Sequence, residues 1–326
     1  MISLGEIRVA QQRLRGVVIR TPLLSYLNDR SEPTLYFKPE SLQPVGSFKL
    51  RGAYNKIAST SPEERERGVV AHSSGNHAQA VAYAAKALGV RAVIVMPRGA
   101  PALKRQRTAS LGAEVVEVGE DSEERRLKAD ELVKQEGLLP VPPYDDELVM
   151  AGQGTIGLEI LKDLPEVGTV LVPVSGGGLI SGVAVALKRI NPKVRVVGVE
   201  PELAADARAS LEQGRLVAFP AEEIGKTIAD ALRVRRLGDL TWPHVREFVD
   251  DIVTVGEDEI REAIRKLAFG ARLVAEPGGA VSFAAWLFHQ EQLPPTRLNV
   301  ALISGGNVEP RVLTQVLSGT ACEETG

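Results

Sequence analysis

From Gly68 onward, short β-branched apolar runs alternate with segments whose apolar residues recur at helical spacing. That alternation predicts βαβ units and mostly parallel sheets. Gly68 to His72 reads as a strand, Ser73 to Asn76 as a tight loop, Ala78 to Leu88 as an Ala-rich helix stopped by Gly89, and Arg91 to Met96 as the next strand. A helix over Ala102 to Leu111, the strand Glu114 to Val118 and a third helix ending near Glu136 complete a small α/β layer. The pattern then restarts. A helix runs from Asp145 through Leu161, followed by the strand Val170 to Val174, a glycine loop, a helix to Ile190 and the strand Val194 to Val199. Further on come a helix from Glu257 to Phe269, an Ala-rich helix from Gly279 to His289, and the strand Asn299 to Ile303, which opens into Ser304-Gly305-Gly306-Asn307. The expected architecture is α/β with two open parallel-sheet domains: residues 68–145 as a small mobile domain, and 1–67 with 146–326 as the large one. Ligands of such sheets bind beyond the carboxyl ends of the strands, where the polar glycine-bearing loops fall.

Composition narrows the classes. The 326 residues carry a formal net charge of -3, with 44% hydrophobic and 25% charged residues, as in an ordinary soluble globular protein. The charge runs, such as Glu63 to Arg67 and Glu120 to Arg126, mix both signs and give no electrostatic footprint for nucleic acid. One cysteine, Cys322, makes neither an internal disulfide nor a thiolate cage, and His72, His77, His244 and His289 lack zinc-ligand spacing. No secretory leader is read, so the expected location is the cytoplasm. The stretch Thr169 to Leu187 is uncharged and long enough to span a bilayer, but Pro173 and Gly176 to Gly178 break it into strand, loop and helix, so no membrane partner is expected.

Three loops carry candidate chemistry. Ser175-Gly176-Gly177-Gly178-Leu179 joins a strand to a helix, where side-chain-free residues let backbone amides converge on a phosphate. A ligand-free glycine turn is the alternative, and no Lys-Ser or Lys-Thr pair follows to make a Walker loop. Ser73-Ser74-Gly75-Asn76-His77 opens a helix and suits a carboxylate. Gly46-Ser47-Phe48-Lys49-Leu50-Arg51-Gly52-Ala53 sets a lysine among small and apolar residues; a carbonyl cofactor needs such an amine near the phosphate loop. If Lys49 instead faces solvent, a non-catalytic anion-binding protein is the reading. Gly152-Gln153-Gly154-Thr155-Ile156-Gly157 matches the dinucleotide fingerprint by letter, which would make an NAD-binding oxidoreductase. It has no buried strand before it, and no acid lies between Glu166 and Glu200 for the ribose.

Five motifs, in order, carry a family likeness: Ser47-Phe48-Lys49-Leu50-Arg51-Gly52-Ala53, Ser73-Ser74-Gly75-Asn76-His77, Gly176-Gly177-Gly178-Leu179, Thr227-Ile228-Ala229-Asp230 and Ser304-Gly305-Gly306-Asn307. Together they resemble the threonine dehydratase and serine racemase family of fold-type II (tryptophan synthase beta-like) pyridoxal-phosphate enzymes. Thr241-Trp242-Pro243 and Asp250-Asp251-Ile252 resemble the racemase branch. The resemblance implies a lyase that removes the hydroxyl and ammonia from threonine or serine, giving 2-oxobutanoate or pyruvate, with serine racemase activity as the alternative. It implies pyridoxal 5'-phosphate held on Lys49 as a Schiff base, with Lys49 then acting as the base. Phe48 and Asn76 would meet the cofactor ring, the amides of Ser175 to Leu179 its phosphate, and Ser304 its pyridine nitrogen. Ser73, Ser74, Gly75, Asn76 and His77 would hold the substrate carboxylate, with Ser74 opposite the lysine. A divalent cation, magnesium or calcium, would sit on Glu200, the Ala204 carbonyl and Asp206. A homodimer or homotetramer is implied, and no counterpart of the isoleucine-sensing regulatory domain. Two departures stand out: Ala78 and Ala231 replace the usual glycines, which is expected to narrow the pocket by a methyl each.

Overall fold

A computed structural model describes residues 1–26, 33–119 and 122–319. Cys322 and the start of the charge run at Glu120 lie outside the described residues. The strands are β1 Leu24–Ser25, β2 Thr34–Pro39, β3 Val69–His72, β4 Ala92–Pro97, β5 Glu114–Val118, β6 Leu139–Pro140, β7 Thr169–Pro173, β8 Arg195–Pro201, β9 Asp251–Val255 and β10 Leu298–Ile303.

They form two sheets. One has the order β5-β4-β3-β6 and is parallel throughout. The other has the order β1-β2-β10-β7-β8-β9, parallel except for the edge pair β1 and β2. Both faces of the larger sheet are covered, which is why its strands read as unbroken apolar runs rather than alternating ones. Val170 and Val172 of β7, with Val300 and Leu302 of β10, pack on one face beneath the helices Glu147–Asp163 and Gly178–Ile190. Leu171, Ala301 and Ile303 point the other way, toward the helices Glu257–Lys266 and Pro277–Phe288. Strand periodicity of two assigns each residue to its core.

The expected elements stand within one to three residues of their reading, and Thr169 to Leu187 is strand, turn and helix. Among the described residues no helix is long and apolar enough to cross a membrane. The helix expected to reach Phe269 ends at Lys266 and continues as a π-turn over Leu267–Ala271, after which Arg272 takes φ 60°. The helix Lys49–Ala58 was not expected at all. It contributes Leu50, Ala53 and Ile57 to the core of the smaller sheet, beside Val69, Ala78 and Val81. Across its other side it meets the helix Glu147–Asp163 through Gly152 and Gln153.

Candidate active site

Lys49 is the first residue of its helix, so its side chain leaves from the end that abuts the larger sheet. The backbone just before it is stitched to the last strand's loop: Phe48 N donates to Ser304 O at 3.1 Å, and Ser47 bridges Gly305. Lys49 Nζ donates to the Pro143 carbonyl at 2.6 Å and lies 5.1 Å from the centre of the Phe48 ring. Burial lowers its pKa to about 8, outweighing the opposing pull of the Glu276 carboxylate. A workable fraction of free amine therefore exists near neutral pH, the condition for a lysine to attack a carbonyl.

The glycine turn follows β7. Gly177 has φ 90°, and a Cβ there would lie 2.7 Å from Thr241 Oγ1, so backbone conformation and space both demand glycine. The Gly176 carbonyl is turned outward, accepting from Thr241 Oγ1 at 2.7 Å and Gly238 N at 3.2 Å. Gly178 begins a helix of 13 residues whose first amides have no intrahelical acceptor. Tyr144 packs on this turn, its ring where a Gly176 side chain would be. Pro143 and Tyr144 are consecutive, about 3.8 Å apart at Cα. One residue receives the Lys49 amine and the next lies against the glycine turn, so amine and anion cradle share one wall.

The Ser73–His77 loop leaves β3, with Ser73 N donating to Val95 O at 3.1 Å and Gly75 N to Ser73 Oγ at 3.3 Å. Asn76 starts the helix Asn76–Leu88. Its side chain is doubly held: Nδ2 donates to Glu276 Oε1 at 2.5 Å, and Oδ1 accepts from Asn307 Nδ2 at 2.7 Å. The His77 imidazole turns into the protein, its Nε2 on the Val141 carbonyl at 2.7 Å. Burial first, and then the Lys49 charge, lower its pKa to about 3, so the ring is neutral near neutral pH. Ser304 is buried, with Oγ 3.4 Å from the Gly278 carbonyl.

A family model described as pyridoxal-phosphate dependent enzyme matches residues 14–305. The chain belongs to that family. Over 98% of its length it is 48% identical to the L-threonine ammonia-lyase of Thermotoga maritima, of which 79% is covered. It is 43% identical to the catabolic L-threonine dehydratase of Escherichia coli, over 97% of this chain and 96% of that one. The solved maize serine racemase superposes with a TM-score of 0.90 at 38% identity, covering 97% of each chain. The fold is thus that of the fold-type II enzymes.

The residues of this pyridoxal-phosphate enzyme fit the group the family carries. The helix N-terminus at the glycine turn leaves amides free for an anion, Lys49 is a buried amine with a lowered pKa, and Ser304 is a buried hydroxyl on the loop that the backbone before Lys49 is bonded to. Sequence reading missed Pro143, Tyr144 and Glu276. Glu276 precedes Pro277 at a helix start and looks like a surface acid, yet it is buried, and burial followed by the Asp230 charge raises its pKa to about 7. The one available signal was Gly305, whose missing side chain is what leaves room for the Glu276 carboxylate.

Two expectations change. The Ala78 methyl does not reach the pocket: Ala78 is fully buried in the core of the smaller sheet. Ala231 is exposed, and its Cβ lies 3.3 Å from where a Gly278 side chain would begin. Glu200 and Asp206 are brought together. Glu200 accepts from Ala207 N at 3.1 Å and Arg208 N at 2.8 Å, while both Asp206 carboxylate oxygens are buried without a well-formed hydrogen bond, the backbone amides of Asp206 and Leu237 giving only partial relief. Burial, reinforced by the charge of Asp206, drives the Glu200 pKa well up, and burial raises Asp206 to about 7. Among the described residues no group of three or more His, Cys, Asp or Glu side chains could hold a metal. Any cation here must take the rest of its ligands from carbonyls such as that of the buried Ala204, or from water.

Proposed function

We propose that this protein is an L-threonine and L-serine ammonia-lyase, releasing ammonia with 2-oxobutanoate or pyruvate. The observation that carries the chemistry is the Lys49 amine, lowered to about pKa 8 and sharing the Pro143–Tyr144 wall with the glycine turn. The choice of substrate follows the activities named for the Thermotoga and Escherichia relatives. Pyridoxal phosphate, when bound, supplies an aldehyde that joins amines covalently and a ring that accepts electrons from the α-carbon.

The protein's own residues do the rest. Lys49 carries the cofactor and takes the α-proton; its lowered pKa matches a base working near neutrality. The amides of Ser175 to Leu179 grip the phosphate at a helix N-terminus, where the dipole favours negative charge. Phe48 and Asn76 would border the cofactor ring, and Ser304, a hydroxyl rather than a carboxylate, would face its nitrogen without imposing a proton there. Ser73 to His77 hold the substrate carboxylate on backbone amides and serine hydroxyls. The layer of residues 68–145 is the mobile part, and its closure over the substrate excludes water. The buried Asp206 oxygens, without a well-formed hydrogen bond, and Glu200 support a structural divalent cation, magnesium or calcium, away from the proton transfers. A soluble cytoplasmic homo-oligomer completes the reading.

A visible spectrum and a keto-acid assay on threonine and serine, with Lys49→Ala in parallel, test this. The parent should be coloured and active, and the variant neither; a variant retaining both band and turnover refutes it. Serine racemase activity is the second reading, supported by the resemblance that matches the half-buried Ser74 to an acid or base facing the lysine. D-serine measured against pyruvate from one sample separates the two.

A further inference from the structure

Gly152-Gln153-Gly154-Thr155-Ile156-Gly157, which the dinucleotide reading left without a role, lies wholly inside the helix Glu147–Asp163. Its glycines face two ways. A Cβ on Gly152 would sit 2.5 Å from the Arg51 carbonyl, in the helix that starts with Lys49. A Cβ on Gly154 would lie 2.7 Å from the Gly182 carbonyl, and one on Gly157 would meet Ala186 Cβ at 2.8 Å and the Val183 carbonyl at 2.9 Å. Those three partners belong to the helix that starts at the glycine turn. Polar contacts reinforce the grip. Gln153 Oε1 accepts from Gly52 N at 3.1 Å, serving an amide of the first turn of the Lys49 helix. Arg51 Nη1 reaches Thr155 Oγ1 at 3.1 Å and Glu159 Oε1 at 2.7 Å, and Arg51 Nη2 reaches Glu159 Oε2 at 2.9 Å.

We propose that the helix Glu147–Asp163 is a spacer that sets the separation between Lys49 and the Gly176–Gly178 turn, with Gly152, Gln153, Gly154, Gly157 and Glu159 as positioning residues. The aldehyde and the phosphate arm stand on one planar ring, which confines their separation to a narrow range, so a covalent bond at one end and an anion cradle at the other require two helices held at a matching gap. Backbone-to-backbone contact through glycine gives the shortest and stiffest gap that helices can have, since no rotamer can yield. Misplacement of reacting groups by about 1 Å costs on the order of a hundredfold in rate.

The proposal rests on Lys49 being the cofactor lysine, and the test separates the two. Reductive trapping of the parent holoenzyme, followed by peptide mapping, must label Lys49; label elsewhere overturns that reading and the spacer with it. With Lys49 labelled, Gly157→Ala is compared with Gly157→Ala/Ala186→Gly, which returns one of the two crowded methyls, and with Ala186→Gly alone. Each is titrated with pyridoxal phosphate and with pyridoxine phosphate, which carries the same phosphate and ring but no aldehyde. A widened gap spares the second ligand and weakens the first by about tenfold or more, the paired exchange recovers part of that loss, since the Val183 carbonyl still stands 2.9 Å from the added methyl, and Ala186→Gly alone binds both ligands as the parent does. Equal binding of pyridoxal phosphate by parent and Gly157→Ala overturns the spacer. Equal losses for both ligands also overturn it, because general loosening and not a changed separation is then the cause. Should Gly157→Ala fail to fold, Gln153→Ala, which removes only the bond to Gly52, is read by the same pair of titrations and the same criteria.

Discussion

Lys104, on the helix Ala102–Ser110 of the smaller layer, reaches across the cleft to Asp230 of the larger one, Nζ to Oδ2 at 3.0 Å, with Glu309 at 3.4 Å. Burial alone would lower its pKa, but the two carboxylates more than offset that and raise it. The trio lines a cavity of about 690 Å³ whose wall also includes Glu276 and Asn307, the two residues that hold the Asn76 side chain. Lys104→Ala should release the smaller layer and raise KM for threonine severalfold, while global stability falls by no more than about 1 kcal/mol, since both acids are half exposed. Hydrogen exchange of residues 102–110 should quicken in the variant. Unchanged exchange together with unchanged KM would dismiss the bridge as a surface pair.

The pH dependence of cofactor capture follows from Lys49 and Glu276. Only the neutral amine attacks, so capture of pyridoxal phosphate by the apoprotein should rise with pH and level off above about 8, far below the ordinary lysine value of 10.5. Glu276 opposes the lowering, because its negative charge favours the ammonium. Glu276→Gln removes that charge and should move the midpoint to lower pH. Stopped-flow absorbance across a pH series reads both, and a midpoint that moves upward in the variant contradicts the arrangement.

How much of this was legible beforehand varied with how local the cause was. Strands β7, β8 and β10 were readable because both their faces are apolar, and the glycine turn because its backbone conformation is written in its own residues. β2 and the Lys49 helix were not. Lys38 and Glu40, and Arg51 with Asn55, occupy inward positions that a pattern of apolar residues assigns to solvent. They are tolerated inside because their partners come from elsewhere: Arg51 pairs with Glu159, and Asn55 Nδ2 donates to the Leu148 carbonyl. Glu276 was hidden for the same reason, its companion Asn76 being 200 positions away. The dinucleotide fingerprint misleads in the opposite sense, since close helix packing and phosphate approach both select glycine.

The buried cluster around Arg51 should be costly to break. Arg51 donates to Glu40 through Nε at 2.7 Å and Nη2 at 2.9 Å while also holding Glu159, and Lys38 Nζ binds Glu159 Oε2 at 2.6 Å. Arg51→Met leaves Glu40 buried without a cation partner, a loss of about 3–5 kcal/mol, measurable by urea unfolding. Burial pushes the Glu40 carboxyl up, but Arg51 outweighs it and holds the pKa below the usual 4.5. A depressed carboxyl stabilises the fold above its unfolded value and ceases to do so as the pH falls through the folded one. The parent should therefore lose this contribution in acid, below about pH 4.5, and Arg51→Met should show a smaller loss over that range. Parallel acid profiles for the two proteins would sink the assignment.

Gly177 offers the sharpest single test of the anion cradle. At φ 90° an alanine is strained by about 1–2 kcal/mol, and its methyl would approach Thr241 Oγ1 at 2.7 Å and Leu237 Cδ2 at 2.9 Å. The turn relieves this only by swinging Gly176 away from Thr241, which breaks the 2.7 Å bond that points the Gly176 carbonyl outward. A carbonyl released toward the cradle presents negative charge to a phosphate. Gly177→Ala should therefore weaken pyridoxal phosphate by at least about tenfold, and inorganic phosphate should lose its ability to compete for the site. Thr241→Ala removes the 2.7 Å contact but leaves the Cβ at position 241 and Leu237 Cδ2 each 2.9 Å from the new methyl, and it forfeits the hydroxyl that restrains Gly176, so the double variant should recover only a small part of the stability and none of the affinity. Equal recovery of both would mean that crowding alone, and not the direction of the carbonyl, governs the cradle.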